Sequence, residues 1–127
     1  MAGLAADALR DALMALADRL DDLINGLAPG DAVRIQLEGA QNSLRNAAAD
    51  VDASSIEAVL SKNADLQKLQ DLTAQINARA AAIAASVANV NKITSIAGSV
   101  VNLGTALSAG SVPAILGAVS AVQTAVG

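Results

Sequence analysis

Leu9, Leu13, Leu16, Leu20, Leu23 and Leu27 follow one another at alternating steps of four and three. In a helix of 3.6 residues per turn these positions share one face, whereas in a strand they would scatter over both. The spacing returns in Val33, Leu37, Ala40, Leu44, Ala47 and Val51, and again from Leu66 through Leu69, Thr73, Ile76, Ala80, Ile83, Val87 and Val90. A slightly rotated stripe continues in Ile93, Ile96, Val100, Leu103 and Leu107, and a last one runs through Val112, Ile115, Val119, Val122 and Val126. No alternating run of β-branched residues competes with these stripes. The fold class expected is therefore all-α. At 127 residues the chain is one domain of packed antiparallel helices.

Turn chemistry divides the stripes. Asn25-Gly26 and then Ala28-Pro29-Gly30 end the first helix, and Asp31 is placed to cap the second. Residues 50–55 break the second helix, and Ser54 with Glu57 has capping-box spacing for a third. Ala109-Gly110-Ser111 forms a turn, with Ser111 as N-cap and Pro113 in the first turn of the last helix. Between Leu66 and Gly98 neither Pro nor Gly interrupts. That uninterrupted run favours an elongated arrangement: a three-helix body over residues 1–92, a continuous third helix leaving it, and a short hairpin of residues 93–127 as its head. At about 1.5 Å per residue the first helix is roughly 35 Å long, and each hairpin arm only about 22–24 Å. A break near residues 89–95 would instead fold everything into one five-segment bundle.

Charge is spread unevenly. Residues 1–61 hold ten acids against four arginines, while Lys92 is the last charged residue of the chain. The following 35 residues have none, although 16% of the whole chain is charged. Helices facing water normally carry charge on the outer side. Here the polar positions are neutral: Ser95, Ser99, Asn102, Thr105, Ser120, Gln123 and Thr124. Small residues are dense as well, and Gly98, Gly104 and Gly117 each cost about 1 kcal/mol of helix propensity relative to Ala. Such a segment suits close helix packing or a change of conformation.

The composition excludes much chemistry. The chain has no His, Cys, Phe, Tyr or Trp. Without His and Cys the usual transition-metal sites, haem and iron–sulfur ligation, disulfides and thiol catalysis are removed, as is Ser-His-Asp chemistry. Without aromatics, base stacking is removed, and a net charge of −4 is unsuited to a phosphate backbone. Asp18, Asp21 and Asp22 read as a solvated acidic face paired with Arg19. The run from Asp50 starts like a calcium loop but has Ser55 where Gly is required and Ser61 where Glu is required. Ser61 beside Lys62 is no nucleophile–base pair, since adjacent helical residues point apart, and no further residue pattern supports Lys68 or Lys92 with an acid partner. No enzyme activity, cofactor, metal, small-molecule substrate or nucleic acid is expected. Asp7 and the lack of a basic stretch in the first ten residues argue against a cleavable Sec signal, so the expected location is cytoplasmic, or exported without one.

The expected role is helix–helix self-association or docking of a helical partner. The residues expected to face that partner, or a lipid bilayer, are Ile93, Ile96, Val100, Leu103, Leu107, Val112, Ile115, Leu116, Val119, Val122 and Val126. A helical body with one long helix and a charge-poor hairpin head resembles the layout of α-helical pore-forming toxins, especially small subunits of multi-component ones. That resemblance implies a membrane-active component whose hairpin inserts. Richness in Ala, Leu, Asn, Gln and Ser, as in the segment 71–79, is similar to secreted helical filament proteins such as flagellin, which implies an exported filament subunit.

Overall fold

Each stripe becomes a helix wherever the structure, a computed structural model, describes the chain, which is over residues 2–51 and 62–127. The helices are α1 (Ala2–Asn25), α2 (Ala32–Asp50), α3 (Asn63–Ile83), α4 (Val90–Ala109) and α5 (Val112–Val126), with a 3-10 turn at Val87–Asn89. Among the described residues there is no strand. The Ser54–Glu57 capping box and the beginning of the expected third helix lie outside them.

Local chemistry fixes the ends. After α1 the chain turns through Pro29 and Gly30, with Leu27 N donating to Ile24 O at 3.1 Å and Asp31 N to Ala28 O at 3.0 Å. Asp31 Oδ1 then accepts from Val33 N at 2.8 Å, the expected cap. Arg34 locks this turn by donating from Nη1 to Leu27 O at 2.8 Å while its Nε donates to Glu38 Oε1 at 2.8 Å. Gly110 ends α4 at φ 73°, a left-handed conformation that glycine adopts without a Cβ clash, and its N–H reaches Ala106 O at 3.1 Å. Ser111 and Pro113 open α5 as expected, although the Ser111 side chain makes no capping bond.

Each helix has two principal neighbours. α1 lies between α2 and α3; α2 also packs on α4, α3 also packs on α5, and α4 and α5 pack on each other. The neighbours thus close a ring, and the buried aliphatic residues form one core. Leu9, Leu13, Leu16 and Leu20 of α1 and Leu37 and Leu44 of α2 are at most 1% exposed. Ile76 and Leu69 of α3 are wholly buried.

The expected continuous third helix is not present. α3 stops at Ile83, and the chain turns through residues 84–86 and the 3-10 turn before α4 begins at Val90. The break runs through residues 84–89, reaching the first residue of the 89–95 window, and five helices pack together as the alternative arrangement expects. No Pro or Gly makes it. Asn89 Nδ2 donates to Ala82 O and Ile83 O, each at 3.1 Å, and Ser86 Oγ accepts from Ala88 N at 3.1 Å. Tertiary burial is the larger cause. The turn lets Ile93, Ile96, Val100, Leu103, Leu107, Ile115, Val119, Val122 and Val126 reach exposures of 0–3%. Each is worth about 1.5–3 kcal/mol on burial, against about 1 kcal/mol for each helical hydrogen bond given up. Burial wins. The stripe position Val87, left on the turn, remains 39% exposed.

A polar clasp sets the register of α1 on α2. Gln41 is 7% exposed, and its Nε2 donates to Ala17 O at 2.8 Å and to Asp21 Oδ1 at 2.6 Å. Arg45 Nη2 lies 3.1 Å from Asp18 Oδ1 and 3.8 Å from Asp21 Oδ2. The acidic face of α1 is therefore answered by Arg45 of α2, rather than by Arg19 of its own helix.

These contacts predict a graded stability map. In urea unfolding, Leu44→Ala should cost about 2–5 kcal/mol, whereas Ile35→Ala, at a site 60% exposed, should stay within about 0.5 kcal/mol. Gln41→Ala should cost about 1–3 kcal/mol and Arg45→Ala less than about 1 kcal/mol, since only the first leaves a buried seam unsatisfied. Equal losses within either pair would contradict the burial pattern.

Candidate interaction surface

The sequence-derived interface residues line the inner side of α4 and α5. Nine of the eleven are buried against the chain's own helices, and Val112 and Leu116 are half-buried. What these two helices offer outward is a different set. On α4 it is Thr94, Gly98, Val101 and Thr105; on α5 it is Pro113, Gly117, Ser120 and Thr124. Both sets are exposed, and both run at steps of four, three and four, which places each along one helical stripe. Ser95, Asn102, Ala114 and Ala121 flank them, also exposed and also uncharged.

The threonine hydroxyls on this face are already satisfied within their own helices. Thr94 Oγ1 donates to Val90 O at 2.8 Å, Thr105 Oγ1 to Val101 O at 3.1 Å and Thr124 Oγ1 to Ser120 O at 3.0 Å. A threonine bonded back to the carbonyl four residues earlier asks less of water than a free hydroxyl does. Val101, 41% exposed, adds an isopropyl group in the middle of the α4 stripe. This surface is bland in charge and cheap to dehydrate.

The glycines separate into two kinds. Gly104 is buried where α4 approaches α2, and a Cβ placed there would lie 3.0 Å from Asp50 Oδ2 and 3.7 Å from Ala47 Cα. Its lack of a side chain serves the chain's own packing. Gly98 and Gly117 are exposed, and a Cβ on either would meet nothing within 4 Å. Among the described residues nothing packs against them to explain their cost in helix propensity.

Other surfaces offer less. A cavity of about 190 Å³ at the α3–α4 junction is lined by Arg79, Ala82, Ile83, Asn89 and Lys92. The Asn89 amide is committed to two C-terminal carbonyls of α3, and the Lys92 ammonium lies against Gly127 at the end of α5. No carboxylate or hydroxyl lines it to act as base or nucleophile. Among the described residues every buried side-chain nitrogen and oxygen has a hydrogen-bond partner, and no group of three His, Cys, Asp or Glu could hold a metal ion. No helix among them is long and apolar enough to cross a membrane.

The outward set was readable in the sequence as the neutral complement of the apolar stripes. Thr105, Ser120 and Thr124 are among the neutral positions read there, but Gly98 and Gly117 could not be told from Gly104, because only the fold separates an open glycine from a packed one. That separation is measurable. Gly98→Ala and Gly117→Ala should each stabilise the monomer by up to about 1 kcal/mol in urea unfolding, while Gly104→Ala should give no gain because the Asp50 side chain must move. A gain at Gly104 matching the other two would contradict the close α2–α4 approach. Comparison of the chain with protein-family models, with curated proteins and with solved structures finds no match.

Proposed function

We propose that this chain is a non-enzymatic helical subunit that associates with a second copy of itself through the outward faces of α4 and α5. The two helices act together as a helical hairpin turned at Gly110. The observation carrying this reading is the pair of exposed, uncharged stripes whose glycines face open space. Dehydrating a surface costs most where charges and unbonded polar groups must leave water. This surface has no charges, and three of its hydroxyls are bonded internally. Small residues along the stripes let two helix backbones approach closely, so dispersion contacts between them accumulate. Like faces suit each other here. A strongly charged partner would lose its own hydration against a surface that returns no counter-charge, whereas two neutral copies related by a two-fold axis lose little.

The expected behaviour is a concentration-dependent dimer or higher assembly in sedimentation or light scattering. Val101→Lys places an ammonium in the centre of the stripe and should return the mass to that of a monomer, with helical circular dichroism and urea midpoint unchanged. The pair Gly98→Ala with Gly117→Ala should weaken association by about ten-fold or more while stabilising the monomer. A chain that stays monomeric to about 1 mM, or a Val101→Lys variant that assembles like the parent, would overturn the proposal.

A further inference from the structure

The junction between α3 and α4 is a break in a sequence that has no breaker. From Ala80 to Ala97 there is neither Gly nor Pro, and alanine, the best helix former, recurs through the turn at Ala80, Ala81, Ala82, Ala84, Ala85 and Ala88. Two side chains hold the turn alongside the backbone bonds of Ala84 N to Ala80 O and Asn89 N to Ser86 O. In a continuing helix, Ala82 O and Ile83 O would accept from the N–H groups of Ser86 and Val87. Here the Asn89 amide occupies both acceptors, and Ser86 Oγ takes the Ala88 N–H. Val87 stands 39% exposed on the turn. Were the helix straight, Val87 would fall in line with Ile76, Ala80, Ile83 and Val90 on one apolar stripe.

We infer that residues 84–89 are a hinge through which two copies of this chain exchange their α4–α5 arms. In the exchanged form α3 and α4 fuse into one helix of roughly 70 Å, and the arm of each copy docks on α2 and α3 of the other. Every contact of α4 with α2 and of α5 with α3 is then kept, between chains instead of within one. The balance is therefore decided locally. Straightening exchanges two side-chain caps for regular helical bonds and gives Val87 an apolar neighbour on the second copy, where the two fused helices meet. The buried aliphatic residues of α4 and α5 become an intermolecular interface without any change in packing. This association is distinct from the face-to-face contact proposed above, since the exposed stripes take no part in it.

The chain's lack of cysteine permits a direct test. Gly104 and Ala47 are close enough for Ala47→Cys with Gly104→Cys to report which chain supplies α4. After refolding at high protein concentration and isolation of the dimer, oxidation should give a covalent dimer on a non-reducing gel. A dimer fraction yielding only covalently closed monomers would overturn the inference. Hinge variants give a second reading that does not depend on the disulfide. Ser86→Ala with Asn89→Ala should raise the dimer share several-fold, and Ala85→Gly should lower it by about five-fold per chain through its cost to the fused helix. Val101→Lys should leave this dimer intact, which separates it from face-to-face association. A hinge series in which the dimer share does not follow helix propensity would also overturn it.

Discussion

The contact of α4 with α2 closes the ring of helices, and the rest of the structure depends on it. That contact is tight because Gly104 lets the α4 backbone lie against Ala47 and Asp50. Once α4 rests on α2, α5 is brought back against α3, and the core gains the aliphatic stripes of the last two helices. The break after Ile83 follows from this. A straight helix would keep a few more backbone bonds of about 1 kcal/mol each but would strand nine aliphatic side chains in water. The hinge exists because nonlocal burial outweighs local helix preference there.

A core without aromatic residues sets the character of this packing. Leu, Ile, Val and Ala have no ring to wedge helices apart, so alanines such as Ala6, Ala17 and Ala48 can be fully buried between neighbouring helices. Specificity then rests on shape and on a few polar bonds. Gln41 and Arg45 supply those between α1 and α2, joining an otherwise smooth seam at a defined register. At the other end of the chain, Gln75 Nε2 donates to Gln123 O at 3.0 Å and to Gly127 O at 3.3 Å, tying the last turn of α5 to α3. Polar chemistry among these helices works as registration, with every buried side-chain nitrogen and oxygen of the described residues accounted for.

Much of the fold was legible in the sequence because it is written in local terms. The four-and-three stripes identified the helices, Asp31 announced a cap, and Gly110 with Ser111 and Pro113 announced the last turn. The break at residues 84–89 was not legible, since Ser86 and Asn89 are ordinary helix residues until their side chains find backbone partners. The pairing of Asp18 with Arg45 was hidden for a similar reason: it crosses helices and depends on their register. The candidate surface was half legible. An absence of charge over 93–127 singled out the helices that carry the neutral face, but periodicity alone identifies an apolar stripe without saying whether the chain itself will cover it.

Covering that stripe internally changes what the missing charge means. Were the apolar residues of α4 and α5 exposed, neutral polar residues on the opposite side would simply be the tolerated back of a buried hairpin. With the apolar side already packed, the neutral side is the one that meets solvent, and ordinary surface helices are charged there. The open glycines matter here through their place on an uncharged face, since Gly39 of α2 is as exposed and as open beside Glu38; Ala at Gly98 or Gly117 would make the helix more stable. The hinge shows the same disposition in the backbone: a sequence locally able to run straight is held bent by burial of the helices beyond it, with two side-chain caps closing the turn. Both features are what the proposed association and exchange draw on: an uncharged outward surface, and a turn made without Gly or Pro.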